Sequence, residues 1–232
     1  MQKYFQFLIN VFKYWRFKFE SIKTSNSLVT KHFNTWSQAD HQNREGLRLA
    51  LELLENRPAI IVETGTSAHG TDSSRLFDGY VSRFGGRFFS VDINNYPSRR
   101  LKLQHSSRTE FFVSDSLSFL SSIHEVLKLE RIDFVYLDSW DVDWENPTQS
   151  AIHGLAEFKL VQPYLRKGSV LVIDDTPNSL DWIPSEHRDV ATKYEQTYGV
   201  LPGKGALIVK ELKTNMSVRK IWHDYNCVYL FT

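Results

Sequence analysis

Five short apolar runs, each closing on an acid, constrain this chain more than any other feature. They read AIIVE (59–63), RFFSVD (87–92), EFFVSD (110–115), IDFVYLD (132–138) and SVLVIDD (169–175). Runs this short and this apolar predict strands buried on both faces. Between them lie stretches with apolar residues at helical spacing: DSSRLFDGYVSRF (72–84), SLSFLSSIHEVLK (116–128) and QSAIHGLAEFKLVQPYL (149–165). Strand and helix in alternation predict parallel βαβ units, hence an α/β, doubly wound, mostly parallel sheet with helices on both faces. Two later runs, GALIVKEL (205–212) and NCVYLFT (226–232), lie close together with no convincing crossover helix between them. They are expected to form an antiparallel edge on that sheet.

Upstream, GLRLALELLE (46–55) predicts a helix, which Asn56, Arg57 and Pro58 end. Residues 24–45 are polar and poorly periodic and read as a connector with one short helix. Residues 1–23 are crowded with aromatics and carry five basic residues against Glu20. Lys13, Arg16 and Lys18 break the apolar stretch, and no small-residue cleavage site follows, so this is not a signal peptide. The segment reads as a helix packed on the domain or on a second subunit of a homo-oligomer. The alternative is a helix lying on an anionic membrane surface. The expected division is therefore a helical N-terminal extension, 1–45, and an α/β domain, 46–232.

Composition adds exclusions. A chain of 232 residues fits one large domain with appendages, and 41% apolar residues support a normal core. The net charge of +1 offers no global argument for a nucleic-acid partner, and none is expected. Cys227 is the only cysteine, which excludes an internal disulfide or a cysteine-based zinc cluster and suits a reducing, cytoplasmic setting. No apolar run approaches the ~18 residues of a membrane span.

In an open α/β sheet, ligands bind outside the carboxyl ends of the strands. Those ends are Glu63, Asp92, Asp115, Asp138 and the pair Asp174–Asp175. The first run leads into ETGTSAHGTDSS, where Gly65 and Gly70 sit in a tight strand-to-helix turn suited to close approach of backbone and ligand. Neither GxGxxG nor a P-loop is present. An acid at Asp92 can accept hydrogen bonds from the two hydroxyls of a ribose. Asp115 can bond an adenine amino group, and both Asp115 and Ser116 also suit a plain helix cap.

Taken in order, ETGTxxxG, FFSVDIN, VSDS, FVYLDSWD and VLVIDD resemble the class I S-adenosylmethionine-dependent methyltransferases. The resemblance runs over about residues 46–232. Within that class it is greatest to the metal-dependent O-methyltransferases related to catechol O-methyltransferase and to the macrolide-sugar O-methyltransferases. It implies that Glu63 and Gly65 shape the pocket around the methionine moiety, with Ser67 and Ser73 near its carboxylate. It implies that Asp92 holds the ribose and that Asp115 and Ser116 face the adenine. Asp138 would face the cofactor and bind Mg²⁺ (or Mn²⁺) together with Asp174 and Asp175. The chemistry of the residues points the same way: adjacent buried carboxylates repel, and a hard, oxygen-seeking cation relieves them.

One departure stands out. The catechol-type pattern reads Asp-His-Trp-Lys after the fourth strand, with lysine as the general base. This chain has Asp138-Ser139-Trp140-Asp141. Asp141 and His153 are the candidate bases, and His69 and His223 are further histidines. Trp140, Trp144 and Trp182 are expected near the mouth, and TPNSLDWIPSEHRDV (176–190) reads as a substrate loop or lid. The expected activity is methylation of a hydroxyl on a small molecule or sugar/glycan. The rival reading is a non-catalytic binding or scaffold protein of the same fold, for which the changed lysine position speaks.

Overall fold

The structure, a computed structural model, describes residues 2–20, 22–67, 70–101, 103–128 and 130–232. The five acid-ended runs are β1 (Ala59–Thr64), β2 (Gly86–Asp92), β3 (Thr109–Val113), β4 (Ile132–Leu137) and β5 (Leu165–Ile173). They pair in parallel. The strands β6 (Val218–His223) and β7 (Cys227–Phe231) complete a seven-stranded sheet in the order β3-β2-β1-β4-β5-β7-β6, with β7 antiparallel to both neighbours. The helices, in chain order, are α1 (Gln2–Phe19), α2 (Ser25–Trp36), α3 (Arg44–Glu52), α4 (Ser73–Phe84), α5 (Tyr96–Arg100), α6 (Ser116–Ser121), α7 (Ile123–Leu127), α8 (Thr148–Val161), α9 (Arg188–Tyr198) and α10 (Ala206–Leu212).

Successive side chains on a strand point to opposite faces. On β4, Phe134 and Tyr136 enter one core while Val135 and Leu137 enter the other. The first core is closed by Leu28 and Phe33 of α2, Leu47 and Leu51 of α3, and Phe77 of α4. The second is closed by Phe119 and Leu120 of α6, Phe158 of α8 and Ile208 of α10.

Two expectations change. Residues 205–212 are not a strand: Ala206–Leu212 forms α10. A short apolar run is compatible with a buried helix turn as well as a strand, and Ile208 and Leu212, one turn apart, pack in the same core as Phe158 and Val161 of α8. The antiparallel edge exists, but β6 supplies its outer strand. Exposed Arg219 and Lys220 hide that strand in the sequence and are the charges expected on an unpaired edge. The expected connector contains the twelve-residue α2, opened by a capping box between Thr24 and Ser27.

The N-terminal helix packs on the domain. Tyr14 and Phe17 are buried, the Tyr14 hydroxyl donates to Asp78 Oδ2 at 2.6 Å, and the Arg83 guanidinium lies 4.7 Å from the Phe17 ring centre. Leu8, Phe12 and Trp15 are exposed on this helix. Among the described residues, no helix is long and apolar enough to cross a membrane.

Candidate active site

The strand order reverses between β1 and β4, which opens a crevice at their carboxyl ends. A cavity of about 780 Å³ lies there, with Asp138, Asp141, Asp174 and Asp175 among its lining. Trp36, His41 and Asn43 form one wall, and Trp182 and Tyr225 another. A second cavity of about 370 Å³ shares Trp36 and Gly70 with the first and continues past Ser67, Asp72, Tyr96 and Arg100. Residues 25–43 thus supply both core and cavity wall, although the sequence places them in an extension.

The turn after β1 is held from beneath. Glu63 is fully buried, and its carboxylate accepts hydrogen bonds from the hydroxyls of Ser73 (2.5 Å), Ser74 (2.5 Å) and Ser90 (2.6 Å). Burial pushes its pKa up to about 7 against the pull of those hydroxyls. Glu63 and Ser73 therefore buttress the turn rather than line either cavity. Gly65 has φ +80°, and a Cβ there would fall 2.2 Å from the carbonyl oxygen of Asp138. Glycine is needed for the close passage of two strand ends, a constraint internal to the protein. Ser67 donates to Asp72 (2.6 Å) and accepts from Arg100 (2.6 Å).

Asp92, at the end of β2, accepts from the backbone N–H of Thr66 (3.1 Å) and of Asn94 (2.7 Å) and is half-buried. Asp115 is exposed and caps α6 by accepting from Ser118 N–H at 2.9 Å, which holds its carboxyl below the ordinary value. Neither lines either of the two cavities. Three large apolar side chains near them in the chain or following β4 are exposed: Ile93, Val113 and Trp140.

Ser116 and His153 turn inward, away from the acid-lined cavity. His153 Nε2 lies 3.1 Å from Ser116 Oγ and 3.0 Å from Ser139 Oγ, and Ser139 donates to Glu157 at 2.7 Å. Of the two candidate bases, Asp141 lines the cavity and His153 does not. His223 hydrogen-bonds the Thr176 carbonyl at 3.1 Å and is also outside it, with burial lowering its pKa. His69 lies outside the described residues.

Asp138, Asp174 and Asp175 do converge, but around a residue missed in the sequence. The ammonium of Lys204, a residue only 3% exposed, contacts Asp138 Oδ1 and lies 2.9 Å from Asp175 Oδ2. Asp174 Oδ2 accepts from Tyr136 (2.6 Å) and Asn43 (2.8 Å), and its Oδ1 from the Asp175 N–H (2.9 Å). Asp175 Oδ1 accepts from the Tyr225 hydroxyl. Burial alone would lower the Lys204 pKa, but the carboxylates of Asp138, Asp175 and Asp174 outweigh it and hold the ammonium protonated. Burial and the Asp175 charge push Asp174 up to about 6. Asp138 Oδ1, both oxygens of Asp174 and both of Asp175 are thus already engaged by the protein. Among the described residues, no group of three or more His, Cys, Asp or Glu side chains has an arrangement that would hold a metal ion. The one clue in the sequence was the tripeptide Gly203-Lys204-Gly205, a lone cation between two glycines.

The turn between β6 and β7 reaches the same place. Asp224 accepts from Trp182 Nε1 at 2.7 Å, Tyr225 bonds Asp175, and Asn226 donates to the Asn43 carbonyl at 3.4 Å.

No protein-family model matches the chain, and no curated protein matches it significantly. Solved structures do. The MycE methyltransferase from the mycinamycin biosynthetic pathway, in complex with Mg, SAH and mycinamycin VI, superposes with TM-score 0.61 at 14% identity, over 91% of this chain and 55% of that one. The fold is that of the class I methyltransferases. The O-methyltransferase TomG from Streptomyces achromogenes, in complex with SAM, shares this class I fold with TM-score 0.50 at 17% identity, over 92% of each chain. The chain spans about 55% of the length of the MycE chain it matches.

Proposed function

We propose that the chain is an S-adenosylmethionine-dependent O-methyltransferase acting on a hydroxyl of a small molecule or sugar. The observation that carries this reading is the cavity at the β1/β4 reversal, lined by the strand-end carboxylates Asp138, Asp174 and Asp175. A sulfonium cofactor is cationic, so a cavity lined by Asp138, Asp141, Asp174 and Asp175 above one ammonium favours it. Asp92, fixed by two backbone N–H groups, would take the ribose hydroxyls. Asp115 and the exposed Ile93, Val113 and Trp140 would meet the flat adenine. The likeness of fold to MycE, solved with SAH, and to TomG, solved with SAM, supports the same assignment.

In the reaction, an acceptor oxygen displaces the sulfonium sulfur in line: a C–O bond forms, the C–S bond breaks, and the acceptor proton leaves to a base. Alignment supplies much of the acceleration. Asp141 is our candidate for that base, since it lines the cavity. Trp36 and Trp182 offer ring faces for an acceptor, and Trp36 Nε1, buried and without a hydrogen-bond partner among the described residues, would donate to an acceptor oxygen. These groups suit a hydroxylated ring such as a sugar. A resident Mg²⁺ would draw on Asp138, Asp174 and Asp175, whose carboxylates already serve Lys204, Tyr136, Asn43 and Tyr225.

Two measurements test the reading. S-adenosylhomocysteine should raise the melting temperature, as any ligand selective for the native state does; no shift at millimolar nucleoside would sink it. With an acceptor in hand, Asp141→Asn should lower kcat by about a hundredfold or more, in the usual range for a lost general base, while His153→Ala should leave it within a few-fold. Full activity in Asp141→Asn would remove Asp141 as the base.

A further inference from the structure

Lys204 is not a surface lysine that has drifted into an acidic pocket. Its backbone is locked where it lies. Its N–H donates to the Asp175 carbonyl at 3.0 Å. Its own carbonyl passes so close to α8 that a Cβ on residue 154 would fall 2.3 Å from it, and residue 154 is glycine. On either side, a Cβ on Gly203 would fall 2.3 Å from the Asp175 carbonyl oxygen, and one on Gly205 would fall 2.5 Å from Thr176 Oγ1. Gly203 moreover has φ +155°. The Gly205 N–H donates to that same Thr176 hydroxyl at 3.0 Å. Gly203 and Gly205 therefore let the Lys204 backbone lie against the exit of β5 and Gly154 lets it lie against α8, and from there the side chain reaches the carboxylates.

The electrostatics make the same point. Three clustered carboxylates at adjoining strand ends repel one another, and in a low-dielectric site that repulsion requires a cation. An ammonium buried on its own is equally unfavourable. Here each supplies what the other lacks, while the Tyr136 hydroxyl and Asn43 amide engage Asp174 Oδ2 and the Tyr225 hydroxyl engages Asp175 Oδ1.

We propose that Lys204 is the built-in cation of this site, standing in the place of a divalent metal ion, so that the chain binds its nucleoside and its acceptor without Mg²⁺. Lys204 is a positioning residue: it holds Asp138 and Asp175 together beneath the cavity and balances their charge. This rests on the methyltransferase reading for its chemistry, but its central test does not.

The test is Mn²⁺ binding followed by electron paramagnetic resonance on the full chain, in wild type, Lys204→Ala and Lys204→Met. Wild type should bind no Mn²⁺ at this site up to millimolar concentration. Lys204→Ala, which removes the ammonium and leaves room, should bind one ion roughly tenfold or more tighter, and the added Asp138→Asn should abolish that gain. Lys204→Met keeps the bulk without the charge and guards against loss of folding in the smaller variant; it should bind Mn²⁺ better than wild type as well. One tightly bound Mn²⁺ in wild type, lost on Asp138→Asn, would overturn the proposal, and so would a folded Lys204→Ala or Lys204→Met with no gain. The nucleoside shift is read separately, with and without chelator. If S-adenosylhomocysteine fails to bind while the Mn²⁺ pattern appears, the methyltransferase reading falls and the lysine assignment stands. If it binds only with Mg²⁺ present, the lysine assignment falls and the methyltransferase reading stands.

Discussion

Phe33→Ala is expected to destabilise the chain by about 3–5 kcal/mol, the usual cost of emptying a fully buried phenylalanine site. Phe33 has no exposed surface and sits in the core shared by α2, α3, α4 and the sheet. Its ring also lies 5.3 Å from that of His32 and 5.9 Å from that of His41, and His41 lines the main cavity. The variant should therefore lose nucleoside affinity along with stability. Urea denaturation and the S-adenosylhomocysteine shift measure the two effects. A loss below about 1 kcal/mol, typical of a surface change, would mean that α2 is an appendage after all.

The second large effect is a pH dependence. Glu63 has a folded pKa of about 7, pushed up from 4.5 by burial. Between those values the folded chain holds a proton that the unfolded chain has released. The stability this contributes is fully present below about pH 4.5 and is lost as pH rises through 7. The size is on the order of 3 kcal/mol, from about 1.4 kcal/mol per pKa unit. Asp174, pushed up to about 6, adds a slope of the same sign. Glu63→Gln removes the first slope alone. Unfolding free energies at pH 5 and pH 8 should thus fall more steeply in wild type than in Glu63→Gln, by about that amount. Parallel slopes in the two proteins would show that Glu63 ionises normally despite its burial.

Much of this architecture is legible in the residues, and the gaps have identifiable causes. The central parallel strands can be read because both of their faces are buried, so AIIV and VLVI need no partner to announce themselves. The outer strand β6 cannot be read that way: Arg219 and Lys220 meet solvent, and its apolar residues Val218, Ile221 and Trp222 are only partly buried. ALIV at 206–209 misleads because four apolar residues satisfy a strand and a helix turn alike until the contact with α8 decides. The acids of the site are legible because each ends an apolar run. Lys204 is not, because its partners Asp138 and Asp175 are supplied by two strand ends far from it in the chain. Asn43 and Trp36 are hidden for a similar reason: a polar stretch carries no period that would announce a cavity wall.

The turn at Asp224-Tyr225-Asn226 ties together parts of the molecule that lie on different sides of the cavity. Through three consecutive residues it grips Trp182, Asp175 and the backbone of Asn43. Two walls and the floor are thus moored to a single post at the antiparallel edge of the sheet. Any widening of the cavity by displacement of Trp182 must either break the bond to Asp224 or drag the edge hairpin with it. The edge hairpin, more than 40 residues beyond Asp174 and Asp175 in the chain, thereby sets the width of the cavity.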